Sequence, residues 1–78
     1  MTITFLCLPG FPLAPLSLAI DALRVAEDIN GTPALDWQTV SEDGGAVVSS
    51  SGLSLTPAGA LATVSRSDVL LTFAAADG

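Results

Sequence analysis

The sequence has no lysine, no histidine and no tyrosine. Its positive charge is confined to two arginines, set against eight acids for a net charge of −6. Phosphate recognition relies on clustered Lys and Arg, so direct contact with nucleic acid by this segment is not expected. With no histidine and a single cysteine, Cys7, there is no metal-ligand cluster and no internal disulfide. No cofactor is expected either. The loop Pro9-Gly10-Phe11-Pro12 holds one glycine where a dinucleotide fingerprint needs three. Serine nucleophiles need an adjacent base, and the triplet Ser49-Ser50-Ser51 has no histidine anywhere in the chain to serve it. It reads as a polar turn.

Charge is also scarce along the chain. Residues 1–20 carry none. Pro9, Pro12 and Pro15 interrupt that stretch and argue against a membrane-spanning helix, and a secretion signal would need a basic start. A cytoplasmic protein with no membrane partner is the expectation.

What is present is apolar. Half of the 78 residues are hydrophobic and 13% are charged. A chain of this length buries only about 60% of its unfolded surface, so it should carry proportionally more polar surface than a large one. The composition suits part of a larger core, or a protomer with a large apolar interface.

The organising unit is a strand at residues 3–8, a tight loop and a helix at 13–29. Ile3-Thr4-Phe5-Leu6-Cys7-Leu8 is apolar without alternation, the pattern of a parallel strand covered on both faces. Proline cannot donate to the ladder and glycine permits a turn, so Pro9-Gly10 ends it. Cys7 in this setting is a small hydrophobe rather than a reactive thiol. On the helix, Ser17, Asp21, Arg24 and Asp28 fall four, three and four apart and form one polar stripe, along which Arg24 can pair with either aspartate. The apolar arc spans roughly 200°, wider than the ~100° stripe of a typical surface helix. One side should pack on the sheet and the excess on a partner subunit or on further chain. Asn30-Gly31, with Thr32-Pro33 behind it, is the expected stop.

Residues 35–41 alternate imperfectly and read as an edge or near-edge strand, with Trp37 as a packing residue. Glu42-Asp43-Gly44-Gly45 is a turn, and residues 46–56 form two short extended pieces around the serine turn, an antiparallel β arm. Pro57-Ala58-Gly59-Ala60-Leu61 is expected to form a helical turn. Residues 68–73 read as a second buried strand, ending in small residues that suit a close backbone approach. The fold class is α/β with a parallel sheet. In such sheets ligands bind at the carboxyl ends of strands, here Leu8-Pro9-Gly10 and Phe73-Ala74-Ala75. Asp21, about two turns into the helix, is the one ionisable group placed to matter, since it lies on the first helix beside these strand ends.

Two stretches carry a family resemblance. One is Phe5-Leu6-Cys7-Leu8-Pro9-Gly10-Phe11 with Ala19-Ile20-Asp21-Ala22-Leu23-Arg24-Val25-Ala26. The other runs from Trp37 through Glu42-Asp43-Gly44-Gly45 and Ser49-Ser50-Ser51-Gly52 to Leu53. Together they resemble the amino-terminal domain of GlxA-type regulators of the AraC family, a PfpI-like, glutamine-amidotransferase-like domain that precedes a helix-turn-helix domain. The resemblance implies a flavodoxin-like parallel sheet of which this chain is the first half. It also implies a non-enzymatic domain that senses a small-molecule effector and forms homo-oligomers through its apolar helix face. Asp21 falls where catalytic relatives carry a helix-one glutamate, with a shorter side chain. The candidate ligand-binding residues are Asp21, which the resemblance places near the family's pocket, and Pro9 and Gly10 at the strand end, with no catalytic residue and no metal. A fragment of a PfpI-like hydrolase or amidotransferase-type enzyme is the alternative.

Overall fold

The computed structural model describes residues 2–30, 36–65 and 67–75. Gly31 to Leu35, and with them the Thr32-Pro33 exit and the first residue of the expected 35–41 strand, lie outside the described residues. The elements follow the chain as β1 (Thr2–Cys7), α1 (Leu13–Asn30), β2 (Asp36–Ser41), β3 (Val47–Val48), β4 (Ser54–Leu55), β5 (Gly59–Ala60), a single 3-10 turn at Leu61–Thr63, and β6 (Val69–Phe73). Four strands make one sheet in the order β5-β2-β1-β6, and β3 and β4 form a separate antiparallel pair. All pairings within the larger sheet are parallel. The fold is α/β, a flavodoxin-like parallel sheet with a short antiparallel arm.

β1 is central, with β2 and β6 on either side in registers that set Phe5 between Thr39 and Leu71. It is buried from Ile3 to Cys7. Ile3, Phe5 and Cys7 point to one face and join Phe11, Leu16 and Val47 in the core, with Leu13, Ala19, Ile20 and Leu23 of α1 packed against them. Trp37 meets Phe5 edge-on, with ring centroids 6.3 Å apart. That is a packing role, although 41% of the indole stays exposed.

The opposite face is covered differently. The chain must cross from β5 at one edge to β6 at the other, and it does so over the face that carries Thr4. Gln38 Nε2 donates to Thr4 Oγ1 at 2.9 Å, Thr4 Oγ1 donates to Ser67 Oγ at 2.8 Å, and Ser67 Oγ donates to the Val69 carbonyl at 2.8 Å. This relay stitches β2, β1, the crossover and β6 together. It lets a fully buried threonine sit in the middle of the sheet without an unpaired hydroxyl. α1 covers the first face and this crossover the second, running in the opposite direction, so both connections have the same hand, as parallel units require.

Two expectations are corrected. Residues 57–61 do not form a helical turn. Gly59–Ala60 is extended and pairs with Val40 and Ser41, and the helical turn comes later, at Leu61–Thr63. The exposed edge of β2 offers unpaired backbone groups, and pairing them outweighs a one-turn helix with little side chain to bury. β6 is present but is not a buried strand. Leu70 and Leu71 are 51% and 42% exposed, because β6 is the sheet edge and α1 lies over β1.

Candidate functional site

Loop and arm form one hydrogen-bonded body at the carboxyl end of β1. The Phe11 amide donates to the Leu8 carbonyl at 3.0 Å and Gly10 has φ +80. With Pro9 before it, this is a type II turn, which demands positive φ at its third residue. A Cβ on Gly10 would lie 3.3 Å from the Ala75 Cβ. The small residues after β6 therefore serve a close approach between chain segments. The Gly10 amide donates to the Val48 carbonyl at 2.8 Å and the Ser50 amide to the Phe11 carbonyl at 2.9 Å. The arm is thus clamped to the loop that feeds α1.

The serine triplet has a structural role. Ser49 is buried, its Oγ accepts from the Leu53 amide at 3.2 Å and lies 2.9 Å from Ser51 Oγ. The Gly52 amide closes the turn onto the Ser49 carbonyl at 3.0 Å.

Beside this body lies a cavity of about 310 Å³ lined by Cys7, Pro9, Ser41, Glu42, Asp43, Ala46 and Val47. It sits at the carboxyl ends of β1 and β2, where parallel sheets bind ligands. Its mouth is formed by the turn after β2. Ser41 Oγ donates to the Gly45 carbonyl at 2.9 Å, and the Gly45 amide donates to Asp43 Oδ1 at 2.9 Å. Gly44 has φ +84 and lies against Ala60, where a Cβ would come within 3.3 Å of the backbone. The lining carries the carboxyl groups of Glu42 and Asp43 and no basic side chain. Burial pushes the Cys7 thiol up, so at neutral pH it is a protonated wall atom and not a nucleophile. A second hollow of about 360 Å³ lies between the start of α1 and Ser50-Ser51. Among the described residues no group of three or more His, Cys, Asp or Glu side chains could hold a metal. No described helix is long and apolar enough to cross a membrane.

Of the residues singled out from the sequence, Pro9 lines the first cavity and Gly10 forms the turn beside it. Asp21 does not join them. It is exposed on α1, on the stripe it shares with Ser17, Arg24 and Asp28, and lines neither cavity. Ser41, Glu42, Asp43, Ala46 and Val47 were missed as lining residues. The signal available for them was a Glu-Asp-Gly-Gly turn placed directly after a parallel strand.

Comparison with known proteins adds the decisive observation. The chain is 37% identical over 70 residues to the HTH-type transcriptional regulator CdhR of Pseudomonas aeruginosa, covering 90% of this chain. It is 41% identical over 56 residues to the HTH-type transcriptional regulator GbdR of the same species, covering 72% of this chain. Its homologues are transcriptional regulators. The chain spans 20% of the length of CdhR and 15% of that of GbdR. The crystal structure of an AraC family transcriptional regulator from Pseudomonas putida superposes with a TM-score of 0.79 at 25% identity, over 95% of this chain and 40% of that one. No family model matches the chain.

Proposed function

We propose that this chain is the first half of a PfpI-like sensory domain of an AraC-type regulator, and that it binds a small-molecule effector without catalysing a reaction. The observation that carries the reading is the 310 Å³ cavity at the carboxyl ends of β1 and β2, in a chain whose homologues are regulators. Its volume falls at the small end of small-molecule sites. The two carboxylates and the absence of a basic side chain in its lining disfavour an anionic effector. Cys7 and Pro9 form one wall, and Ser41, Glu42, Asp43, Ala46 and Val47 the other. The protonated thiol of Cys7 and the missing base leave no activated nucleophile among the described residues. DNA contact falls to a helix-turn-helix domain outside this segment.

The test is a thermal-shift screen of small metabolites on the protein and on Ala46→Trp, which fills the cavity from its rim. A compound that raises the Tm of the parent and not of Ala46→Trp supports the reading. If every stabilising compound acts equally on both, the cavity is not the effector site.

A further inference from the structure

The polar side chains that line the cavity at the ends of β1 and β2 offer it acceptors and no free donor. Cys7 and Ser41 follow the register pair Leu6–Val40, so their side chains lie next to each other on one face of the sheet, and both are buried. Each has one proton to donate, and each proton already faces a backbone carbonyl. Ser41 Oγ donates to Gly45 at 2.9 Å, and the Cys7 thiol is turned to the Phe5 carbonyl, 3.9 Å from its sulfur. What remains for the cavity is lone pairs. The other polar lining side chains are Glu42 and Asp43, and a carboxylate only accepts.

One pair of these acceptors is placed to share a donor. Ser41 Oγ and Asp43 Oδ1 lie 3.5 Å apart. The single serine proton is engaged at the shorter contact with Gly45, so the two oxygens face each other with no hydrogen between them. Asp43 Oδ1 takes the Gly45 amide at 2.9 Å and keeps a second lone pair. Glu42, on the exposed turn between them, adds a second negative charge at the mouth. The rest of the lining, Pro9, Ala46 and Val47, is apolar. The charge selects a cation, and the acceptors select one that carries hydrogens. A hard metal cation needs about six to eight oxygen ligands, and among the described residues no three His, Cys, Asp or Glu side chains stand together to begin such a set.

We propose that the cavity takes a protonated primary amine on a short apolar body. Its ammonium group sits between Ser41 Oγ and the carboxylates of Asp43 and Glu42, and its body lies against Pro9, Ala46 and Val47. This rests on the effector-site reading above and names the chemical class of the ligand. A quaternary ammonium has the charge but no hydrogen to place between Ser41 and Asp43. A carboxylate would add two more acceptors to a site that has no donor for them.

Calorimetric titration and thermal shift with n-butylamine, n-butyltrimethylammonium and butyrate test this. Butylamine should bind the parent and raise its Tm. The quaternary salt should bind at least tenfold more weakly, and butyrate should give no shift. Asp43→Asn keeps an oxygen for the Gly45 amide and loses only the charge, so the turn is retained, which circular dichroism checks. It should weaken butylamine about tenfold, since hydrogen bonds to an ionised acceptor are roughly twice as strong as neutral ones. The proposal is overturned if butylamine does not bind, if the quaternary salt binds as well, or if Asp43→Asn binds the amine like the parent. A neutral or quaternary compound that stabilises the parent and not Ala46→Trp would overturn the amine class and leave the effector site standing. Failure of the site itself would show as butylamine shifts of equal size in the parent and in Ala46→Trp.

Discussion

β1 and β6 are neighbouring strands of one sheet with closely similar chemistry, yet they live in different environments. β1 has a strand on each side, α1 on one face and the crossover on the other, and is buried from Ile3 to Cys7. β6 has one neighbour, and its three central residues are exposed. Phe5 and Leu71 are direct register partners, at 1% and 42% exposure. The difference teaches that apolar content specifies a strand, while its neighbours decide how much that strand contributes to stability. It also marks β6 as the side on which the sheet is open. An exposed apolar edge strand needs a covering element, because its unpaired backbone is a template for association.

The largest expected effect separates the two strands at that register. Phe5→Ala removes a ring that packs on Trp37 and on Phe73, and should cost about 3–5 kcal/mol in urea unfolding. Leu71→Ala beside it should cost about 1 kcal/mol or less. Equal losses would mean that β6 is covered in solution, and would close the contrast. A smaller effect probes what holds the strands together across the second face. Thr4→Val keeps the shape but strips the hydroxyl that accepts from Gln38 and donates to Ser67. The loss should be about 1–2 kcal/mol, with hydrogen exchange at β6 amides rising more than at β2. An unchanged β6 would show that backbone pairing alone fixes the edge.

The smallest effect is a pH dependence carried by β1 alone. Burial raises the Cys7 thiol in the fold, so above the ordinary thiol range the unfolded chain gives up a proton that the folded chain retains. Stability from this group is fully present at neutral pH and declines as pH rises through that alkaline window. Cys7→Ala should flatten the alkaline slope of unfolding free energy, on top of a pH-independent loss of about 1 kcal/mol for the buried sulfur it removes from the core. An identical slope in the variant would mean that the thiol is solvated.

Much of this architecture was legible in the sequence because it rests on strong local signals. An unbroken apolar run, Pro9-Gly10 and a polar stripe at helical spacing specify β1, its turn and α1 without reference to anything distant. The Gly-Gly and Ser-Ser-Ser-Gly turns do the same for the arm. β5 was not legible, since Gly59–Ala60 is a strand only by virtue of its pairing with Val40 and Ser41. The relay through Thr4 was hidden for a similar reason. A threonine in an apolar run looks like an ordinary strand former until Gln38 and Ser67, 34 and 63 residues away, are brought to it. The cavity was half visible. It lies at the strand ends the sequence pointed to, but its other wall is built by the turn after β2, whose shape depends on the Asp43–Gly45 bond and on Ala60 beneath Gly44.

The clamp between arm and loop has a mechanical consequence. Val47 is a wall of the cavity, and the carbonyl of the next residue, Val48, holds the amide of Gly10. Three residues after Gly10, α1 begins. A push on the cavity wall would reach the root of this 18-residue helix through the Gly10–Val48 and Ser50–Phe11 hydrogen bonds, and a small tilt at the root would be multiplied along its length. Ile29, near the far end of that helix, would travel the furthest.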